Sequence, residues 1–304
     1  MSADHKLLPR RVRFDLSRTP LHWIPHDPEA SYIINSIHLL LPAGEFWFCR
    51  VYNKALPYIT DARLREDVQG FVRQEAIHAR SHETALNDYL RRHGIEIDGV
   101  LRVADWVFGQ LLEEKPLPLG DNFVTRRLRQ RLERFRLRQH LAIIAAIEHY
   151  TCVLGKWVLE AEALDAPGVD PDLRDLFRWH GAEEVEHRCV AHDLHAHLGG
   201  TTLERQAWAL AAFPVLMSLL AYAGKHLMAQ DPAVGGQFFF ARWERASRRG
   251  TLPTLESLFG AAARYLDSDY HPEGEATLEQ ALAYFAKSPA VQEALAKAHV
   301  AAAA

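Results

Sequence analysis

Two short stretches of the chain each place a glutamate and a histidine three residues apart. "VRQEAIHARSHE" (72–83) contains Glu75 and His78, and "WHGAEEVEHRCV" (179–190) contains Glu184 and His187. On a helix, residues three or four apart share a face and are separated by only ~4.5–6 Å along the axis, so each pair can reach one metal ion. Each stripe carries a further imidazole, His82 one turn after His78 and His180 one turn before Glu184. Phe71 and Tyr89 continue the first stripe, and Leu176, Ala191 and Leu194 continue the second. Polar groups therefore stand where a core stripe would be apolar throughout. Glu183 with His187 (i, i+4) is a competing pair; Glu184 is preferred because it copies the Glu75/His78 spacing and shares its stripe with His180.

Two lone glutamates complete the set. Glu45 lies in "PAGEFWFC" among Phe46, Trp47 and Phe48, and Glu148 ends the apolar stripe of Leu137, Leu141 and Ile144 in "LAIIAAIEHYTC". A charged carboxylate on an apolar face is costly unless it is paired, and a metal ion is the usual partner. Each lone glutamate is followed four residues later by a cysteine, Cys49 or Cys152, read here as a small buried filler. The chain thus runs ExxxC, ExxH, ExxxC, ExxH in two similar halves. Four carboxylates and two imidazoles suit two divalent ions, one histidine to each. His82 and His180 are either added ligands or hydrogen-bond partners of ligand carboxylates. The plainer alternative is a buried salt-bridge network with core histidines, which would have to explain inward glutamates on four separate segments. Phe46, Trp47, Phe48 and Tyr150 read as core, some of them walling a substrate pocket.

The elements that must position these groups are helical. Long amphipathic segments are expected over 31–56 (kinked or restarted at Pro42), from Thr60 as N-cap to Gly94, and over 98–114. Others are expected after the "KPLPLG" break over 121–164, over 171–198 up to Gly199-Gly200, and over 202–229. Looser helices follow to 275, then an Ala-rich helical end. With 304 residues, 48% hydrophobic and 24% charged, the chain can bury a large core. A single domain over 1–304 is expected, with its core at about 30–230 and a helical C-terminal appendage over 231–304.

A net charge of -4 argues against nucleic acid as a partner. Three cysteines without CxxC spacing and an N-terminus without an apolar signal region point to a reducing, cytoplasmic setting. The arginine run at 126–138 reads as a solvated helix face or a subunit contact, which leaves a homodimer open, with an anion-binding surface as the alternative. Residues 207–224 carry no charge and reach the minimum length of a membrane span. A helix buried against the bundle is expected there, with contact at a membrane surface as the alternative.

The motif set resembles the ferritin-like dinuclear carboxylate superfamily over about residues 30–230, and its wording is similar to the bacterial family catalogued as predicted metal-dependent hydrolases. The resemblance implies an all-α, ferritin-like four-helix bundle with additional helices. It implies Glu45, Glu75, His78, Glu148, Glu184 and His187 as the metal-binding and catalytic residues. Carboxylate-rich ligation suits two iron ions, and manganese or a mixed pair fits the same donors. On this reading the expected function is a non-haem di-iron oxidase or oxygenase. It would activate O2 to oxidise a small aromatic or alkyl substrate, with electrons from an external donor because no nicotinamide fingerprint is visible. A dinuclear metal-dependent hydrolase and a ferritin-type iron-handling protein are the alternatives.

Overall fold

The computed structural model describes residues 5–113, 123–235 and 238–303, and among them every regular element is a helix. The α-helices among the described residues are α1 (Pro28–Ala55), α2 (Ala62–Arg92), α3 (Asp98–Asp105), α4 (Phe123–Glu160), α5 (Pro171–His187), α6 (Val190–His197), α7 (Thr202–Met228), α8 (Phe239–Arg248), α9 (Leu255–Tyr265), α10 (Leu278–Lys287) and α11 (Pro289–Ala303). The "KPLPLG" break at 115–120 and the expected helix start at 121 lie outside the described residues.

The helix starts follow capping chemistry. Asp27, Asp61 and Asp170 each accept a hydrogen bond from the backbone N–H three residues on, and Thr201 forms a full capping box with Glu204. The cap of α2 is thus Asp61 rather than Thr60, because the carboxylate reaches the Leu64 N–H at 2.8 Å. Helix α1 continues through Pro42 instead of restarting there. The expected helix over 98–114 divides into α3 and a π-helical turn, Trp106–Leu111. The one expected over 171–198 divides into α5 and α6 directly after His187, where the Arg188 side chain donates to the freed Val185 carbonyl at 2.7 Å.

Helix α1 packs along α2, α4 along α5, α7 against α4 and α1, and α10 against α5. Helices α4 and α5 cross with Gly155 against Gly181: a Cβ on Gly155 would stand 2.4 Å from the Gly181 carbonyl oxygen. Two large apolar clusters form the core. One gathers Trp23, Leu39, Leu86, Cys152 and Trp179 with residues of α7 to α11, and the other Trp47, Phe71, Leu141, Ile147 and Val190. Glu45, the Glu75/His78 pair and Glu148 fall at the junction of the two clusters on their helices, as do Glu184 and His187 at the α5–α6 end.

Helix α7 departs from expectation. Its most apolar 18-residue window is only 28% buried, whereas the corresponding window of α4 is 72% buried. The expected burial of 207–224 against the bundle is therefore corrected. Its inner face packs, while Leu203, Ala207, Leu210, Ala211, Pro214, Val215, Ser218 and Tyr222 form an exposed outer stripe.

Candidate metal centre

Four helices bring their polar groups to one buried point. Glu45 comes from α1, Glu75 and His78 from α2, Glu148 from α4, and Glu184 and His187 from α5, all at most 3% exposed. His187 lies between two carboxylates: its Nε2 is 3.1 Å from Glu75 Oε1 and its Nδ1 is 3.2 Å from Glu148 Oε2. His78 Nδ1 is 3.3 Å from Glu75 Oε1 and 3.8 Å from Glu184 Oε1. Glu75, His78, Glu184 and His187 offer donor atoms within 4.8 Å of one another, and so do Glu45, His78 and His180.

These close approaches are not hydrogen bonds. Both oxygens of Glu45, Glu75 and Glu148, Oε2 of Glu184, Nδ1 of His78 and both ring nitrogens of His187 are buried with no hydrogen-bond partner. Orphaned buried polar atoms are expensive and rare. Ten of them converging from four helices make a donor set whose missing partner is cationic, so the residues fit divalent metal ions.

The charge balance says the same. Burial, followed by repulsion from Glu75, holds the Glu45 carboxyl well above its ordinary range. Burial and the Glu184 charge raise Glu148 to about 8. Burial would also raise Glu75, but His187 and His78 outweigh it and bring the carboxyl down to about 2. Both histidines are held well above their usual value despite burial, by Glu183 and Glu75 at His78 and by Glu184 and Glu148 at His187. Four carboxylates thus crowd one buried point with only two imidazoles to offset them, a charge excess that bound cations would balance.

A second layer fixes these donors. His78 Nε2–H donates to Glu183 Oε2 at 2.7 Å, which leaves Nδ1 as the nitrogen facing the other donors. Glu183 also accepts from Trp179 Nε1 (3.2 Å) and from Arg10 Nη1 (2.9 Å). Arg10 further makes a two-pronged pair with Glu186, at 2.8 and 2.7 Å, and Gln74 and His5 bond the same carboxylate. Glu183, met in the sequence only as a competitor of Glu184, is therefore the partner of His78. Arg10, Gln74 and Glu186 gave no sequence signal, because their link to the site runs through long-range contacts.

His180 and His82 occupy different places. His180 Nε2 is 2.7 Å from Glu184 Oε1 and 3.4 Å from Glu45 Oε1, at the edge of the donor set. His82 touches His180 (Nε2 to Nδ1, 2.7 Å) and His38 (Nδ1 to Nδ1, 3.1 Å). One proton arrangement satisfies the row: His180 donates to Glu184, His82 to His180, and His38 to His82. Burial and the neighbouring imidazoles keep His38 and His82 neutral. His38 escaped the sequence reading, although it lies seven residues before Glu45 and so two turns away on the same face of α1.

Two cavities reach the centre. One, bounded by Ile37, Phe177, Trp157 and Val158, touches His38, His180 and Glu184. The other, about 120 Å³, is walled by Phe48, Phe108, Tyr150, Phe213, Met217 and Trp243 among others, with Glu45 as its one charged group. Neither has a lysine or arginine in its lining.

Comparison with known families matches residues 8–276 to the family described as predicted metal-dependent hydrolase. The chain belongs to that family. No curated protein and no solved structure matches it. Membership in this metal-dependent hydrolase family overturns the expectation of an O2-activating oxidase or oxygenase and supports the hydrolytic alternative. The error has a physical source. Carboxylate and imidazole donors bind redox-active and redox-inactive divalent ions alike, so ligand type alone does not separate oxygen chemistry from hydrolysis.

Proposed function

We propose that the protein is a dinuclear metal-dependent hydrolase built on a ferritin-like bundle of α1, α2, α4 and α5. Glu45, Glu75, His78, Glu148, Glu184 and His187 would hold two divalent ions, of which iron and manganese suit a set with twice as many carboxylates as imidazoles. The observation that carries this reading is the convergence of the orphaned carboxylate and imidazole atoms beside an apolar cavity. When bound, such ions acidify water and polarise an electrophile's oxygen.

The chain's own residues do the rest. Glu183 holds the tautomer of His78, and the Arg10 guanidinium, 2.9 Å from the other oxygen of Glu183, fixes that carboxylate in place. The walls of Phe48, Phe108 and Tyr150 exclude bulk water and seat an apolar group next to Glu45. Without a lysine or arginine in the lining, the cavity suits a neutral acyl compound, a carboxylic ester, better than a phosphoester. Water oxygen would bond to the acyl carbon as the ester C–O bond breaks, with the proton passing to the departing alkoxide. Stripping the protein with chelator, reloading it with Mn(II) or Fe(II) under anaerobic conditions and assaying a panel of p-nitrophenyl esters tests this reading. Hydrolysis that returns with metal supports it, and a fully loaded protein inert to every ester refutes it.

A further inference from the structure

The outer stripe of α7 has no charged residue from Leu203 to Tyr222, a run of five turns on the side where a surface helix is ordinarily polar. Leu210 is 63% exposed and Val215 51%, and on neighbouring elements Leu111 is 60% and Phe259 59% exposed. These side chains form one patch: Leu111 and Val215 line one surface groove, and Leu210, Pro214 and Phe259 line the next. The patch lies directly over the cavity that reaches Glu45. Phe108, Ile147 and Leu216 wall both the first groove and that cavity, and Phe213, Met217 and Leu258 wall both the second groove and the cavity. Single layers of side chains therefore separate an exposed apolar face from the metal centre's apolar pocket.

Charge indicates what covers this face. Helices α4 and α7 run side by side in the same direction, with Gln139 on Trp208 near the start of α7 and Thr151 and Leu154 facing Met217 and Leu220 further along. The first turns of α4 extend past the start of α7. They carry exposed Arg126, Arg127, Arg131 and Arg134 together with exposed Leu128, Leu132 and Phe135. Residues 126–138 contain seven arginines and one glutamate. Arginines interleaved with apolar side chains are the pattern of a helix seated at an anionic lipid interface.

We propose that the outer face of α7 docks on an anionic lipid surface, from which an apolar acyl substrate enters the cavity beside Glu45. The substrate part rests on the hydrolase reading above; the docking part does not. The test uses metal-loaded, full-length protein and the double variant Leu210→Glu/Val215→Glu, whose side chains lie outside the cavity. Flotation with vesicles of phosphatidylcholine and phosphatidylglycerol (3:1) reads docking, and sedimentation velocity reads the oligomeric state. Hydrolysis of a short soluble ester and of a long-chain ester embedded in the vesicles reads substrate entry. Wild type is expected to float with the vesicles, and the double variant to lose about tenfold or more of that partitioning with metal content unchanged. The variant should also lose activity on the embedded ester while keeping that on the soluble one. Wild type that stays with the soluble fraction overturns the docking, as does a dimer that the same substitutions dissociate in place of vesicle binding. Equal loss on both esters overturns entry through this face. Vesicle binding abolished by the substitutions, with neither ester hydrolysed by wild type, supports docking and refutes the hydrolase reading.

Discussion

Replacing Arg10 with alanine should both destabilise the protein and weaken its hold on metal. The guanidinium is 4% exposed and is flanked by Glu183 and Glu186, both fully buried. Removing it leaves two carboxylates in the core without their cation, and breaking a buried pair in this way costs about 3–5 kcal/mol. The Glu186 carboxyl gives a second route to the magnitude. Burial would raise it, yet Arg10, His5 and Gln74 hold it at about 2 against an ordinary 4.5. That difference, shared among the three partners, corresponds to about 3 kcal/mol, the same order as the first figure. The sign follows from the direction of the shift. Because the folded value is depressed, this stability is fully present above about pH 4.5 and is lost as pH falls towards 2. Urea unfolding of wild type and Arg10→Ala at pH 7 and at several lower pH values reads both effects. The gap between the two proteins should be about 3 kcal/mol at neutral pH and should narrow on acidification. Lys6→Ala is the control: its pair with Glu66 is 2.7 Å long but exposed on both sides, and its loss should be barely measurable. An Arg10→Ala protein within about 1 kcal/mol of wild type at pH 7 would mean that Glu183 and Glu186 do not depend on the guanidinium.

Glu183→Gln should keep the fold but leave His78 without its anionic partner, lowering metal affinity about 10–100-fold in chelator competition; unchanged affinity would count against its orienting role. Gly155→Ala should cost about 1–3 kcal/mol in urea unfolding, because its Cβ would meet the Gly181 carbonyl at 2.4 Å and push α4 off α5. A neutral result there would mean that the helix crossing is looser than described. Phe108→Trp should fill part of the cavity beside Glu45 and lower kcat/KM for bulky esters while metal content stays the same; loss of metal instead would place Phe108 in the support of the donors.

The convergence of the candidate donors was legible because side chains that meet across helices obey helical periodicity. Glu75/His78 and Glu184/His187 are local spacings, and Glu45 and Glu148 are conspicuous as charges in apolar stripes. The helices themselves follow from aspartate and threonine caps and from breaks at Gly94 and Gly199, both at positive φ. The second layer was not legible in the same way. Arg10 meets Glu186 across 176 positions and Gln74 meets it across 112, and no local pattern records such a pairing. The exposure of α7 was misjudged for a related reason. An uncharged run states that a helix avoids charge, but not whether protein or another apolar phase covers it. The chemistry was misjudged because such donors accept redox-active and redox-inactive divalent ions alike and do not select the reaction performed on them.

The dinuclear hydrolytic centre is tested most directly by counting metal ions and measuring hydrolysis in the same samples. Wild type and Glu148→Ala are each purified, stripped, reloaded with Mn(II), analysed for bound metal and assayed against p-nitrophenyl esters. Wild type is expected to hold two ions per chain and to hydrolyse esters only when metal is bound, and Glu148→Ala to lose at least one ion and most of the activity. Folded wild type that binds no metal, or a Glu148→Ala protein with full occupancy and full activity, would contradict that expectation.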